Sequence, residues 1–231
     1  MLTGILCLAV LRNRPQDMGL LPAGYEDRAV APQPHRLGGK RTVSPRLILH
    51  CGAIYGIFGF TFVSYATFIV TTMVEQYGFS QRTAGGFWSW VGFLSLFSGP
   101  LFGMLADRVS RRFSLMVVFT IQTLAYLLAG LQPAVPWLLL SIGCFGIVAW
   151  SIPSIMAALT GDYAGPDQTF AMFSAITFIF ATGQVAGPFL AGLIAERTGT
   201  FSGSYLLAAA LTAIAVLLSW ALPRPESPPQ G

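Results

Sequence analysis

Apolar residues come in long blocks separated by short charged segments. From Cys51 onward, five runs contain no Asp, Glu, Lys or Arg. A helix rises 1.5 Å per residue, so a run of about 20 residues can cross a hydrocarbon core of about 30 Å. The run 113–161 is long enough for two spans and is divided at Pro133 and Pro136, because proline removes a backbone donor and stops helices. We predict six transmembrane helices at 51–74, 84–106, 113–131, 136–160, 169–195 and 203–222.

These runs favour helices over strands, because a membrane strand needs only about ten residues of alternating polarity and no such alternation occurs. Backbone groups in lipid must also be paired within the segment. Composition agrees, since charged residues make up 10% of the chain, against roughly 25% in soluble domains. The sequence therefore predicts an all-α membrane protein, and it argues against a soluble enzyme or a nucleic-acid-binding protein despite the net charge of +4.

Basic residues give the orientation. Of the 13 Lys and Arg residues, seven lie in 11–48, three in 107–112 and one at Arg224, so 7 + 3 + 1 = 11 fall on one predicted side. Only Arg82 and Arg197 fall on the other. Because cytoplasmic loops carry the excess of base, we expect the segment before the first helix and the C-terminus to be cytoplasmic. The predicted loop 161–167 has two acids and no base.

The ends of the chain differ from its middle. Residues 1–12 are predicted to be the stub of a truncated transmembrane helix, with a short interfacial segment as the alternative. Residues 13–50, rich in Pro, Gly and charge, are predicted to form a cytoplasmic loop. Residues 51–223 form the six-helix domain, and 224–231 a disordered cytoplasmic tail.

Cysteine and histidine indicate no metal, cofactor or catalytic site. Cys7, Cys51 and Cys144 are scattered, and His35 and His50 lie outside the apolar runs. None of these spacings is typical of metal ligands. No phosphate-binding loop occurs either, so we expect no cofactor and no direct use of ATP.

One motif is specific. The segment from Gly99 to Arg112 ends the second predicted helix and turns directly into the third. It resembles the hallmark cytoplasmic loop of the major facilitator superfamily of secondary transporters, G-x-x-x-D-R-x-G-R-R/K, except that Ser110 replaces the inner glycine. The resemblance implies a loop that gates the change between conformations. The matching residues are Gly103, Asp107, Arg108, Arg111 and Arg112.

In physical terms, Gly103 would let two helices approach closely. Asp107 could meet the positive end of a neighbouring helix or pair with the arginines.

A second stretch, 183–192 in the fifth predicted helix, resembles the G-x-x-x-G-P-x-x-G-G sequence of many antiporters. Segments 99–108 and 187–197 also align with one inserted residue, three helices apart. An odd offset reverses direction across the membrane, so we predict an inverted three-plus-three repeat. The residues expected to serve helix packing or bending are Gly99, Pro100, Gly183, Gly187, Pro188 and Gly192.

The resemblance covers most of the chain and implies the C-terminal six-helix half of such a transporter, from a bacterial branch near organic-acid and anion transporters, in the inner membrane. In this superfamily the first helix of each three-helix repeat lines the central cavity. The cavity-lining candidates are Tyr55, Thr61, Tyr65, Trp150, Ser154 and Gln184. No charged residue lies within a predicted span, so we expect no proton-relay carboxylate in this half.

The leading hypothesis is a secondary transporter that moves a small solute by alternating access. Its partners would be the solute, membrane lipid, and either the missing N-terminal half or a second copy, with no nucleic acid. One alternative is a non-transporting membrane scaffold or a truncated gene product. A remote alternative is an intramembrane hydrolase, which would need a serine with a nearby base, whereas no His lies in any predicted span.

Overall fold

The computed structural model describes residues 43–131 and 134–223, apart from the side chains of residues 166 and 167. Within these ranges the chain forms helices, each long and apolar enough to cross a membrane. The predicted segments 1–12 and 224–231, and most of 13–50, lie outside the described residues. The helices are α1 (Pro45–Glu75), α2 (Gln81–Arg108), α3 (Arg111–Gly130), α4 (Val135–Gly165), α5 (Gln168–Thr198) and α6 (Ser202–Trp220).

Helix ends follow local signals. The helix α1 begins at Pro45 rather than at Cys51, because proline at the first position needs no N–H partner. It thus takes in residues placed in the predicted loop 13–50. Ser80 caps α2 by accepting from the Thr83 N–H at 3.1 Å, and Ser110 caps α3 in the same way. Ser110, which replaces the inner glycine of the motif, therefore serves as a helix cap.

Glycines with positive φ lie at junctions between helices. Gly165, at φ 67° and ψ 176°, separates α4 from α5, and Gly199, at φ 74°, ends α5. Such backbone angles are disfavoured for residues with a Cβ. The predicted loop at 161–167 is accordingly almost absent, since α4 continues to Gly165 and α5 begins at Gln168.

Small residues bring particular helices together. A Cβ on Gly183 of α5 would overlap the carbonyl oxygen of Gly56 on α1, whereas a Cβ on Gly146 of α4 would lie 3.1 Å from the Cα of Val91 on α2. In a three-plus-three repeat, the pair α1 and α5 corresponds to the pair α4 and α2. The observed helix contacts therefore have the pattern that the predicted repeat requires.

The interior holds two apolar clusters. One surrounds Phe58, Phe119 and Met156 at the end of the bundle that includes the α2–α3 turn. The other surrounds Tyr65, Tyr126 and Phe145. On the outside, α2 and α5 expose large apolar side chains such as Leu96 and Phe178. An apolar exterior around a helical bundle is what a lipid environment requires.

Candidate gate and solute pathway

The predicted gate loop contains a network of ion pairs around Arg111. Its guanidinium group donates to the carboxylate of Asp107 at the end of α2 and, through Nε at 3.2 Å, to that of Asp162 near the end of α4. Arg111 is the least exposed of the three side chains. One cation thus joins the ends of three helices.

The turn that carries Arg111 is held in place by hydrogen bonds. The Ser110 hydroxyl accepts from the Phe113 N–H, and the Ser114 hydroxyl donates to the Phe102 carbonyl at 2.9 Å. The first bond caps α3, and the second holds the first turn of α3 against α2. A cleft of about 530 Å³ lies beside this turn and is lined in part by Asp107, Arg111 and Asp162.

The other motif residues have different surroundings. Arg112 donates to the carbonyl of Trp220 at the end of α6, and Arg108 is exposed. A Cβ on Gly103 would meet no atom within 4 Å among the described residues. The expected close approach of two helices at Gly103 is therefore not found here, because this side of α2 faces away from the rest of the described bundle.

Asp162 was missed by the sequence analysis. Its signal was the pair of acids in a predicted cytoplasmic loop that lacks base. An acid is needed in this loop because Asp162 is one of the two acids that pair with Arg111. The two residues are 51 positions apart, and only the folded chain brings them together.

The helix α4 is interrupted at its centre. Its first part ends at Val148 and its second begins at Ser151, with Trp150 in between at φ −111° and ψ 9°. Pro153 has no N–H to donate to the carbonyl of Ala149, which removes one backbone hydrogen bond at the interruption.

Serine hydroxyl groups replace some of the backbone hydrogen bonds that are lost where α4 is interrupted. The Trp150 N–H donates to Ser98 of α2 at 2.9 Å, and the Ser151 hydroxyl donates to the Val148 carbonyl at 2.7 Å. The indole of Trp150 is 57% exposed, at the midpoint of a 31-residue helix. Ser154, one turn further on, is exposed as well.

Three predicted cavity residues are buried inside the bundle instead. Tyr65 is completely buried, and its hydroxyl pairs with Ser141 at 2.7 Å. Thr61 is also completely buried and donates to the Ile57 carbonyl of its own helix. Tyr55 stacks on Phe180 with 4.4 Å between ring centroids. These three side chains face neighbouring helices of the described bundle, and a cavity-lining role for them stays a prediction.

Gln184, the remaining cavity-lining candidate, is half-buried and lies beside Gly59. Among the packing candidates, Gly187 lies where a Cβ would overlap the Phe60 carbonyl. A Cβ on Gly192, in contrast, would make only an ordinary contact with Phe68 at 3.9 Å. Pro100 and Pro188 both lie inside helices.

Gly99 resembles Gly103, since a Cβ there would meet nothing within 4 Å among the described residues. Among the described residues, Gly183 and Gly187 of α5 thus lie in close contact with α1, whereas Gly99 has open space beside it; the packing roles stay predictions.

A bundle of six apolar, membrane-length helices with an ion-pair network at one end defines an integral, multi-pass membrane protein. Residues 1–220 match the family model described as "Uncharacterised MFS-type transporter YbfB". The chain belongs to this family of the major facilitator superfamily.

Two curated relatives are similar over part of their length. "Solute carrier family 67 member A1" of Homo sapiens is 28% identical over 156 residues, which cover 66% of this chain and 36% of the relative. "Hexuronate transporter" of Bacillus subtilis (strain 168) is 29% identical over 150 residues, which cover 64% of this chain and 34% of the relative. The matched region thus spans about a third of each relative.

Proposed function

We propose that this chain acts as the C-terminal six-helix half of a secondary transporter that moves a small solute by alternating access. The observation that carries the proposal is the network in which Arg111 joins Asp107 and Asp162 at one end of an otherwise apolar bundle. Exposed ion pairs contribute only about 0–1 kcal/mol each. A network of this strength can form in one state and separate in the next.

The exposed centre of α4 supports a solute pathway along that helix. Tryptophan is enriched at membrane interfaces rather than in the middle of a span, yet Trp150 is exposed at the midpoint of α4. An interrupted helix is tolerated in a membrane where it is buried in protein or lines a cavity. We therefore place the solute pathway beside Trp150 and Ser154, with Gln184 as a further candidate.

The exposed faces of α2 and α5 support a second six-helix unit as partner. On α2, Gly99 and Gly103 lie on a side where an added Cβ would meet open space, and small residues favour close helix packing in membranes. The partner would be an N-terminal half or a second copy of this chain. In either case the protein would transport rather than catalyse a reaction, with the Arg111 network on the cytoplasmic side of a bacterial inner membrane.

Solute exchange in proteoliposomes tests this function. The full chain is reconstituted at several protein densities and assayed with labelled sugars, sugar acids such as hexuronates, and organic acids. If two copies assemble, exchange should rise faster than linearly with density, and Trp150→Ala should abolish it. Trp137→Ala is the matched control, because Trp137 is similarly exposed at 53% on the same helix but lies in its first turn, away from the interruption.

Exchange that scales linearly with monomer would contradict the half-transporter proposal. Absence of exchange at every density, also with an N-terminal half supplied, would favour the scaffold alternative.

The gate has its own test. Arg111→Gln removes the cation that joins three helix ends, and we expect solute exchange to fall by at least about tenfold while solute binding is retained. Arg82→Gln serves as control, because it removes the same charge at the other end of α2. Equal effects of the two substitutions would show that net charge, rather than the network, matters.

A further inference from the structure

Two side chains beside the gate network hold the end of α6. Arg112 donates to the Trp220 carbonyl, and the Tyr163 hydroxyl donates to the Pro223 carbonyl at 2.6 Å. The last carbonyls of a helix lack intrahelical donors, and the Arg112 side chain supplies one for the Trp220 carbonyl. Tyr163 binds the chain three residues further on, beyond the end of α6.

A third donor comes from α1. The His50 Nε2 atom lies 2.9 Å from the carbonyl oxygen of Leu218 and donates to it. Leu222, just beyond α6, is 1% exposed and belongs to the apolar cluster that Tyr163 packs against. The end of α6 is therefore fixed to three other helices by hydrogen bonds and by burial.

Two of the three donors, Arg112 and Tyr163, are direct neighbours of gate residues in the sequence. Arg111 precedes Arg112 on α3, and Asp162 precedes Tyr163 on α4. The first members of the two pairs bind each other, while the second members bind the end of α6. Consecutive residues on a helix point about 100° apart, so each helix end can serve both contacts at once.

We propose that Arg112 and Tyr163 are positioning residues that couple the end of α6 to the gate, and we name His50, Arg112 and Tyr163 the α6 clasp. When the Arg111 network separates, the helix ends that carry the clasp move as well. Opening of the gate therefore releases or displaces the end of α6. The coupling rests on the proposed function for its role in transport, but it is measurable without any solute.

The test follows the reactivity of a buried thiol. In the full chain with its native cysteines replaced by alanine, Leu222→Cys places a thiol at a position that is 1% exposed. Maleimide labelling of the purified protein in detergent then reports how often the end of α6 opens. We expect Tyr163→Phe and Arg112→Lys each to raise the labelling rate roughly three- to tenfold, as loss of one hydrogen bond would.

Arg108→Lys is the matched control, because Arg108 lies in the same loop and is exposed. It should leave the rate within about twofold. A second reference is the same set of substitutions in a chain whose single cysteine is introduced by Leu138→Cys, because Leu138 is completely buried in the other apolar cluster, away from the clasp. Its labelling should not change. Faster labelling at position 138 would show global unfolding and would overturn the proposal.

Coupling to the gate is tested with Asp162→Asn, which alters the partner of Arg111. If gate and clasp act as one unit, this variant also speeds labelling at position 222, and its effect combined with Tyr163→Phe is smaller than the product of the two. No effect of Asp162→Asn, or two effects that simply multiply, would overturn the coupling. Loss of solute exchange with normal coupling would instead count against the proposed function alone.

Discussion

Because glycine has no Cβ, the glycines of α1 and α5 allow these two helices to pack closely. At Gly59, Gly183 and Gly187 the backbones come so near that a Cβ would overlap a carbonyl oxygen of the opposite helix. Close backbone approach increases van der Waals contact, which is the main source of helix association in lipid. Gly99 carries no such constraint, since nothing described lies within 4 Å of the Cβ it lacks.

Gly183→Ala should therefore lower the free energy of unfolding by about 1–3 kcal/mol, because the added methyl group must push α1 away. Gly99→Ala should be neutral or slightly stabilising, since alanine favours helix more than glycine does. Apparent melting temperatures in detergent measure both. A Gly183→Ala protein as stable as the parent would show that the two helices pack less closely than described.

Tyr65 illustrates a hydroxyl whose role the sequence did not reveal. A hydroxyl in an apolar surrounding needs a hydrogen-bond partner. The sequence analysis expected that partner to lie in a cavity, whereas the observed partner is Ser141. Helical spacing gave the face of α1 but not which neighbour that face would meet.

We expect Tyr65→Phe to lower stability by about 0.5–1.5 kcal/mol, the usual net value of a hydrogen bond. Ser141 keeps its bond to the Ala125 carbonyl at 2.6 Å, so no buried hydroxyl is left alone there. Solute exchange should remain near the parental rate. A selective loss of exchange without loss of stability would instead return Tyr65 to the solute pathway.

At the scale of elements, the break in α4 depends on its neighbour α2. Pro153 favours a bend here, because it cannot donate to the preceding turn. The acceptor for the Trp150 N–H, however, is Ser98, a completely buried residue 52 positions away. Sequence could place the bend, whereas its support by another helix depended on how α2 and α4 cross.

Ser98→Ala should cost about 1–3 kcal/mol, because it leaves a backbone N–H without its acceptor in an apolar interior. Ser95→Ala is the matched control on the same helix. Its hydroxyl is exposed and bonds only the Gly92 carbonyl one turn back, so a change within about 0.5 kcal/mol is expected. Equal melting temperatures for the two variants would mean that the break does not depend on Ser98.

At the scale of the whole molecule, one end of the bundle gathers the charges. The turn between α2 and α3, the end of α4 and the end of α6 are joined there by side-chain bonds. The excess of basic residues predicts that this end faces the cytoplasm.

Labelling of intact cells checks that orientation. In a chain without native cysteines, Val109→Cys at the charged end should resist a membrane-impermeant thiol reagent, whereas Ser80→Cys at the other end should react. Both positions are exposed in the structure, so a difference would report sidedness rather than burial. Reaction of the thiol at position 109 from outside would reverse the topology.

The sequence alone determined the class of protein, the number of membrane-length helices and the motif at the α2–α3 turn. These features depend on the length of apolar runs and on backbone chemistry, both of which are local. Only the tertiary structure decided that Asp162 completes the Arg111 network, that Tyr65 is internal and that Arg112 and Tyr163 hold α6. Those pairings join residues far apart in the chain, and they are set by which helix faces meet once the bundle has packed.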